Sequence, residues 1–264
     1  KKKELEVERL KAEAESEAPT QEQEAKAEEE KDDINDRLGN RDKSITDKFP
    51  DASTILDLVI KEGSANGVGR IGNVQSILAR VIKSVVSKEK LKGIKIEAAD
   101  LSSSSRYNAN DNKIYLTDDS TLVAFHELIH ALTIREYLAL DKNSPLVKKI
   151  NSLMRALREH SLERGLITQE QLDVLDSLET SKDFKKNLDN FDVESSAQTA
   201  ILYALLNPKE FLSMAFSDKI VLNTLSEIPV TGVNRTNSIK TMFDSFIKFI
   251  RDLLGIPAGE RTAL

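Results

Sequence analysis

The chain has 264 residues, a net charge of −6 and no cysteine, which excludes disulfides and thiolate metal sites. It contains no run of 18 or more apolar residues, so the sequence predicts no membrane span. From Lys1 to Asp33 there are 13 acidic and 7 basic residues, which leaves 31 of each sign in the rest of the chain. A body without an excess of basic residues argues against nucleic acid as a partner.

Residues 1–46 are rich in Glu, Lys, Ala and Gln, and we interpret them as a charged helical arm or linker. The chain starts at Lys1 without an initiator methionine, so we expect a processed product or a segment of a larger protein. The same stretch has no apolar core of the kind that a secretory signal requires. An intracellular (cytoplasmic) location is therefore the expectation.

The composition changes near residue 47, where we place the start of a folded domain that extends to about residue 220. ASTILDLVIKE predicts a helix with Asp51 or Ser53 at its cap, and GSANGVGRIG follows as a flexible connector. NVQSILARVIKSVVSKEKL predicts a second, amphipathic helix. GIKIEAA and KIYLT predict two strands, and SSSSRYNANDN between them predicts a turn-rich loop.

Beyond Leu140 the patterns are helical. Helices are predicted to start at Ser144-Pro145 and at Thr168, and another covers DNFDVESSAQTAILYALL and leads into NPKEFLSMAF. Residues 221–264 are predicted to hold a C-terminal amphipathic helix, NSIKTMFDSFIKFIRDLLG, that packs on the core. The predicted fold is α+β and mostly helical, with a small β-sheet before the helix that starts near Ser120.

That helix carries the clearest motif. From Thr121 to Ile134 it is apolar except for two threonines, His126, Glu127 and His130. A helix apolar on all sides is normally buried, and two imidazoles and a carboxylate inside it need a strong partner. In an H-E-x-x-H motif both histidines share a helix face and reach one zinc ion, and the glutamate acts as the general base. The alternative is a chance match, with core histidines satisfied by hydrogen bonds.

A catalytic zinc site needs three protein ligands and one open position. Thr133 and Glu136 stand where the metzincin pattern requires Gly and His, so that class is excluded. His160 lies among charged residues and is interpreted as a surface residue. Glu210 in NPKEF is the better third ligand, but three residues after Asn207 it also suits a capping box. The residues alone leave both roles open.

The pair HELIHALT and, about eighty residues later, YALLNPKEFLSMAF resembles the gluzincin-type zincin metallopeptidase domains of large polyvalent proteins from bacteriophages and mobile elements, and of some polymorphic toxins. The similarity covers roughly residues 107–216. It implies a zincin-like core, Zn²⁺ as cofactor, His126, His130 and Glu210 as metal ligands, and Glu127 as catalytic base. It also implies a protein or peptide substrate and partners in a phage virion or a larger polyprotein. A phage virion, from which the protein is ejected into a host, is therefore the alternative to an intracellular location.

Related enzymes stabilise the oxyanion with a Tyr or His, and Tyr203 is the predicted donor, with a core tyrosine as the alternative. The family often has an acidic residue four positions after the ligand Glu, where this chain has Met214. Asp218 or a backbone carbonyl is expected to hold a histidine ligand in its place.

A strand, a tight turn and the helix with the H-E-x-x-H motif follow one another in the sequence. In this layout an edge strand is expected to lie beside the metal, where it can pair with an extended substrate. A non-enzymatic, zinc-stabilised virion domain is the alternative function.

Overall fold

The computed structural model describes residues 39–64, 73–99, 104–178, 181–187 and 195–228, together with Phe191, Val193 and Asp252. The chain divides into two compact units, Lys1–Ser44 and Ile45–Leu264, and the elements below belong to the second. Most of the predicted arm, the connector at residues 65–72 and all but Asp252 of the segment NSIKTMFDSFIKFIRDLLG lie outside the described residues.

Helices dominate the second unit, and one small sheet precedes its central helix. In chain order the elements are α1 (Ala52–Ser64), α2 (Asn73–Val85), α3 (Lys88–Lys92), β1 (Lys95–Ala98), β2 (Arg106–Asn108), β3 (Lys113–Leu116), α4 (Thr121–Ala139), α5 (Pro145–Glu163), α6 (Gln169–Asp176), α7 (Ser181–Lys186), α8 (Ser196–Leu205), α9 (Pro208–Ser217) and α10 (Lys219–Glu227). The predicted mostly helical class with a small sheet is confirmed.

Capping residues explain where several helices begin. The Asp51 carboxylate accepts a hydrogen bond from an N–H of the first turn of α1. Ser144 caps α5, in which Pro145 is the first helical residue, and Thr168 and Gln171 form a reciprocal capping box at α6. Such contacts satisfy N–H groups that have no partner inside the helix. The predicted helix starts at these three places are confirmed.

Other helix boundaries differ from the prediction. The second helix was expected to continue to Leu91, but it ends at Val85, and Ser87 caps the separate helix α3. Serine competes for backbone hydrogen bonds and therefore favours caps over helix interiors. The short helix α7 was not predicted, nor was α10, which Asp218 caps directly after α9.

The sheet has the strand order β1-β3-β2. β1 pairs parallel with β3, with Lys95 opposite Lys113, and β2 pairs antiparallel with β3. β1 and β3 were predicted, whereas β2 was expected to be part of a loop. That expectation is wrong because three residues among serines and asparagines give too little strand pattern. Asn112 in the β2–β3 turn adopts a φ of 57°, a left-handed conformation that asparagine tolerates better than most residues.

The strand directly before α4 is central in this sheet. Because β3 is paired on both sides, it has no free edge for a substrate. The edge strands of the described sheet are β1 and β2, and β2 packs against α4. An edge strand beside the motif helix therefore agrees with the prediction, and its pairing with a substrate stays a prediction.

The helix α4 lies in the core, as predicted. It packs against α9, α1, β2 and β3, and Ala124, Phe125 and Leu128 have no exposed surface. Burying each large apolar side chain of this kind contributes about 1.5–3 kcal/mol. Within the ranges given above, no helix is both long and apolar enough to cross a bilayer.

Candidate metal site

His126 and His130 lie one turn apart on α4, and their Nε2 atoms are 3.1 Å from each other. The two rings stand nearly perpendicular, with centroids 4.7 Å apart. Only 14 % and 7 % of their respective side chains is exposed. The apolar helix therefore brings two imidazole nitrogens to one point inside the protein.

Glu210 reaches the same point from α9. Asn207 caps that helix, because its side-chain oxygen accepts from the N–H groups of Lys209 and Glu210. The Glu210 carboxylate contacts both histidines, with Oε2 3.2 Å from Nε2 of His130 and 3.3 Å from Nε2 of His126. Of the two roles left open by the sequence, this geometry favours that of a ligand.

The three atoms fit a metal ion. Two ligands at about 2.0–2.1 Å from a tetrahedral zinc lie about 3.3–3.4 Å apart, and the three separations here are 3.1, 3.2 and 3.3 Å. His126, His130 and Glu210 thus form a group that can hold a metal ion. Two imidazoles and a carboxylate suit zinc, and also iron.

The charge state of Glu210 agrees with such a role. Burial by itself raises the pKa of this carboxyl, but hydrogen bonds and charge interactions with His126 and His130 outweigh burial and hold the pKa well below its usual range. Glu210 is therefore an anion at neutral pH, which is the form that binds a metal.

The second ring nitrogen of His126 contacts a residue that the sequence did not single out. Nδ1 of His126 is 3.2 Å from Oγ of Ser217, and Ser213 donates from its Oγ to the His126 carbonyl oxygen at 2.6 Å. The expectation that Asp218 or a backbone carbonyl fills this position is wrong, because the Asp218 carboxylate caps α10. A sequence signal existed: Glu210, Ser213 and Ser217 form a polar stripe at helical spacing in an otherwise apolar segment.

His130 differs from His126 in this respect. Its Nδ1 atom is buried and has no hydrogen-bond partner among the described residues. Ligand histidines usually donate their second N–H to a carboxylate, a carbonyl or water.

Glu127 and Tyr203 lie on the open side of the site. Both line a pocket of about 340 Å³, and Glu127 is 6 % exposed. The Tyr203 ring is 6.1 Å from the His126 ring and 5.3 Å from the Phe184 ring, between centroids. The pocket lining consists of Ser104, Ser105, Thr117, Asp118, Leu122, Val123, His126, Glu127, Tyr203, Met214, Ser217 and Asp218. All five predicted site residues are thus placed at or beside one pocket.

His160 takes no part in this group. Its side chain is 16 % exposed, and its Nε2 lies 3.7 Å from the Glu227 carboxylate. It is less exposed than the predicted surface position, because α10 covers one side of α5.

No protein-family model matches the chain, nor does any curated protein or any solved structure. The function of the site must therefore be inferred from its own chemistry.

Proposed function

We propose that the chain carries a zinc-dependent metallopeptidase domain of the gluzincin type. In this proposal His126, His130 and Glu210 bind the metal and Glu127 is the general base. The observation that carries it is the convergence of two imidazole nitrogens and one carboxylate oxygen within 3.1–3.3 Å of one another. The resemblance of HELIHALT and NPKEF to zincin domains supports the same assignment.

Two features favour a catalytic site over a structural one. Structural zinc sites have four protein ligands, whereas catalytic sites have three and an open position. Three ligands converge here among the described residues, and one of them, His126, lines a pocket together with Glu127.

Zinc, when bound, would supply a Lewis acid that polarises a peptide carbonyl and acidifies a water molecule. Glu127 takes the proton of the attacking water and passes it to the nitrogen of the leaving amine. The water oxygen forms a bond to the carbonyl carbon, the amide C–N bond then breaks, and the products are a carboxylate and an amine. The Tyr203 hydroxyl is the proposed donor to the negative charge that develops on the carbonyl oxygen.

The alternative function, a zinc-stabilised interaction domain of a phage or mobile-element protein without turnover, has one observation in its favour. The buried Nδ1 of His130 has no partner in the described part of the chain, and loss of such outer contacts typically lowers metal affinity or activity by about 10- to 100-fold. A metal without turnover on peptide libraries would support this alternative.

Metal content of the purified full chain tests the site. Elemental analysis should find about one zinc per chain in the wild type and much less in His126→Ala and Glu210→Ala. His160→Ala, which removes the chain's third histidine outside the site, is the matched control and should keep its zinc. Iron and manganese are measured in the same samples, since the same ligand types also bind iron. Wild-type protein that stays free of metal after reconstitution would contradict the proposal.

Turnover tests the chemistry. Glu127→Gln should retain zinc and lose cleavage of a peptide library, because the amide cannot accept the proton. Glu159→Gln on α5, outside the pocket lining, is the control and should cleave normally. Full cleavage by Glu127→Gln would rule out the proposed base.

A further inference from the structure

We infer that Ser217 is a positioning residue for His126. Its hydroxyl holds the His126 ring with Nδ1 protonated and Nε2 free to bind a metal. The inference rests on the proposed function only in assigning the metal to Nε2. The hydrogen bonds on which it depends join protein atoms only.

The direction of the hydrogen bonds follows from counting protons. A serine hydroxyl carries one proton and two acceptor lone pairs. The Ser217 hydroxyl donates that proton to the carbonyl oxygen of Ser213 at 2.9 Å. Its Oγ can therefore only accept from His126 Nδ1, 3.2 Å away. An imidazole that donates from Nδ1 can bind a metal through the lone pair of Nε2, and Nε2 is the nitrogen that lies 3.3 Å from the carboxylate of Glu210, the third proposed ligand.

The same face of α9 provides three different contacts with α4. Glu210 lies against Nε2 of His126 and Nε2 of His130, Ser213 donates to the His126 carbonyl oxygen, and Ser217 bonds Nδ1 of the His126 ring. Ser213 and Ser217 are 0 % and 2 % exposed, so water does not compete for these bonds. Docking of α9 therefore fixes the position and the tautomer of His126 in one step.

The first test reads the tautomers directly. Long-range ¹⁵N–¹H NMR of the metal-free full chain with ¹⁵N-labelled histidine, at about pH 8 where free imidazole is neutral, should show Nδ1–H at His126. Ser217→Ala should populate the other tautomer. Thr224→Val is the matched control, since it removes a buried hydroxyl that bonds the carbonyl four residues earlier, in α10, and it should leave the spectrum of His126 unchanged.

The second test is a competition titration with Zn²⁺ alone. Ser217→Ala should bind zinc about 10- to 100-fold more weakly than the wild type. The zinc affinity of Thr224→Val should stay within about threefold of the wild-type value, and Ser217→Thr should keep most of the affinity because it retains the hydroxyl.

Two results would overturn the inference: an Nε2–H tautomer at His126 in the wild type, or unchanged affinity and tautomer in Ser217→Ala. If the wild type binds no zinc, the proposed function fails, and the tautomers still decide the role of Ser217.

Discussion

The cap of α9 allows a sharp prediction because it also positions a ligand. The Asn207 side chain accepts from the N–H groups of Lys209 and Glu210 at 3.0 and 3.1 Å, and Glu210 is the third residue of the helix. Asn207→Ala removes both bonds. Replacing such a cap typically costs about 0.5–2 kcal/mol, and since Asn207 is only half-buried, water recovers part of the bonding. We therefore expect a loss of about 1 kcal/mol.

The same change should weaken metal binding. A first turn that frays in the metal-free protein must be reordered when Glu210 binds zinc. If reordering this turn costs the full amount of about 1 kcal/mol when zinc binds, the dissociation constant for zinc rises about fivefold. Urea unfolding in chelator measures the stability, and a zinc competition titration measures the affinity. Asn207→Asp, which keeps the acceptor oxygen, should recover both.

Ser144→Ala is the control, because Ser144 caps α5 through one comparable bond and touches no ligand. It should lose stability and keep the zinc affinity of the wild type. If Asn207→Ala loses stability while its zinc affinity stays unchanged, the first turn of α9 does not govern the position of Glu210, and the reasoning is refuted.

Three further predictions concern stability, each measured by urea unfolding. Phe125→Ala, at a fully buried position, should cost about 3–5 kcal/mol; a loss no larger than that of the control Leu138→Ala, at a 62 % exposed site, would contradict the described core. Zinc at a thousandfold excess over its dissociation constant should stabilise the wild type by about 4 kcal/mol, and equal stabilisation of Glu210→Ala would exclude that ligand. The hydrogen bond from Arg158 lowers the pKa of Asp176 from its ordinary 3.8. This partly exposed pair therefore adds at most about 1 kcal/mol to the free energy of unfolding. The contribution is present above pH 4 and is lost as the pH falls through the lowered pKa. Asp176→Asn should therefore be less stable than the wild type at pH 7, and the difference should shrink as the pH falls below 4 and through the lowered pKa. A difference that does not shrink in acid would contradict this origin.

The central helix could be predicted from the sequence because its signal is local. A long apolar segment with two histidines one turn apart has few structural solutions, and the buried α4 is one of them. The start of α9 was equally readable, since Asn207 and Pro208 are strong local signals for a helix N-terminus. The role of Glu210 was not: a cap and a ligand look alike in sequence, and only the docking of α9 on α4 distinguishes them.

The missed features depend on contacts between distant residues or on very short elements. Ser217 touches His126 across 91 positions of sequence. The helical spacing of Glu210, Ser213 and Ser217 places them on one face of a helix, but it does not show which distant residue that face contacts. The strand β2 has only three residues, so pairing with β3 stabilises it more than the strand propensity of its own residues does. The helix α7 has six residues with four charged ones among them, and it gave no apolar period to detect.

The distance along the chain between the two ligand helices also has a consequence for biosynthesis. Glu210 follows His130 by 80 residues, and translation at about 5–20 residues per second separates their appearance by about 4–16 seconds. During that interval α4 can pack on α1 and the sheet, but α9 has not yet been made. The side of α4 that α9 covers is therefore exposed in the nascent chain, and the proposed metal site is complete only after α9 has been synthesised.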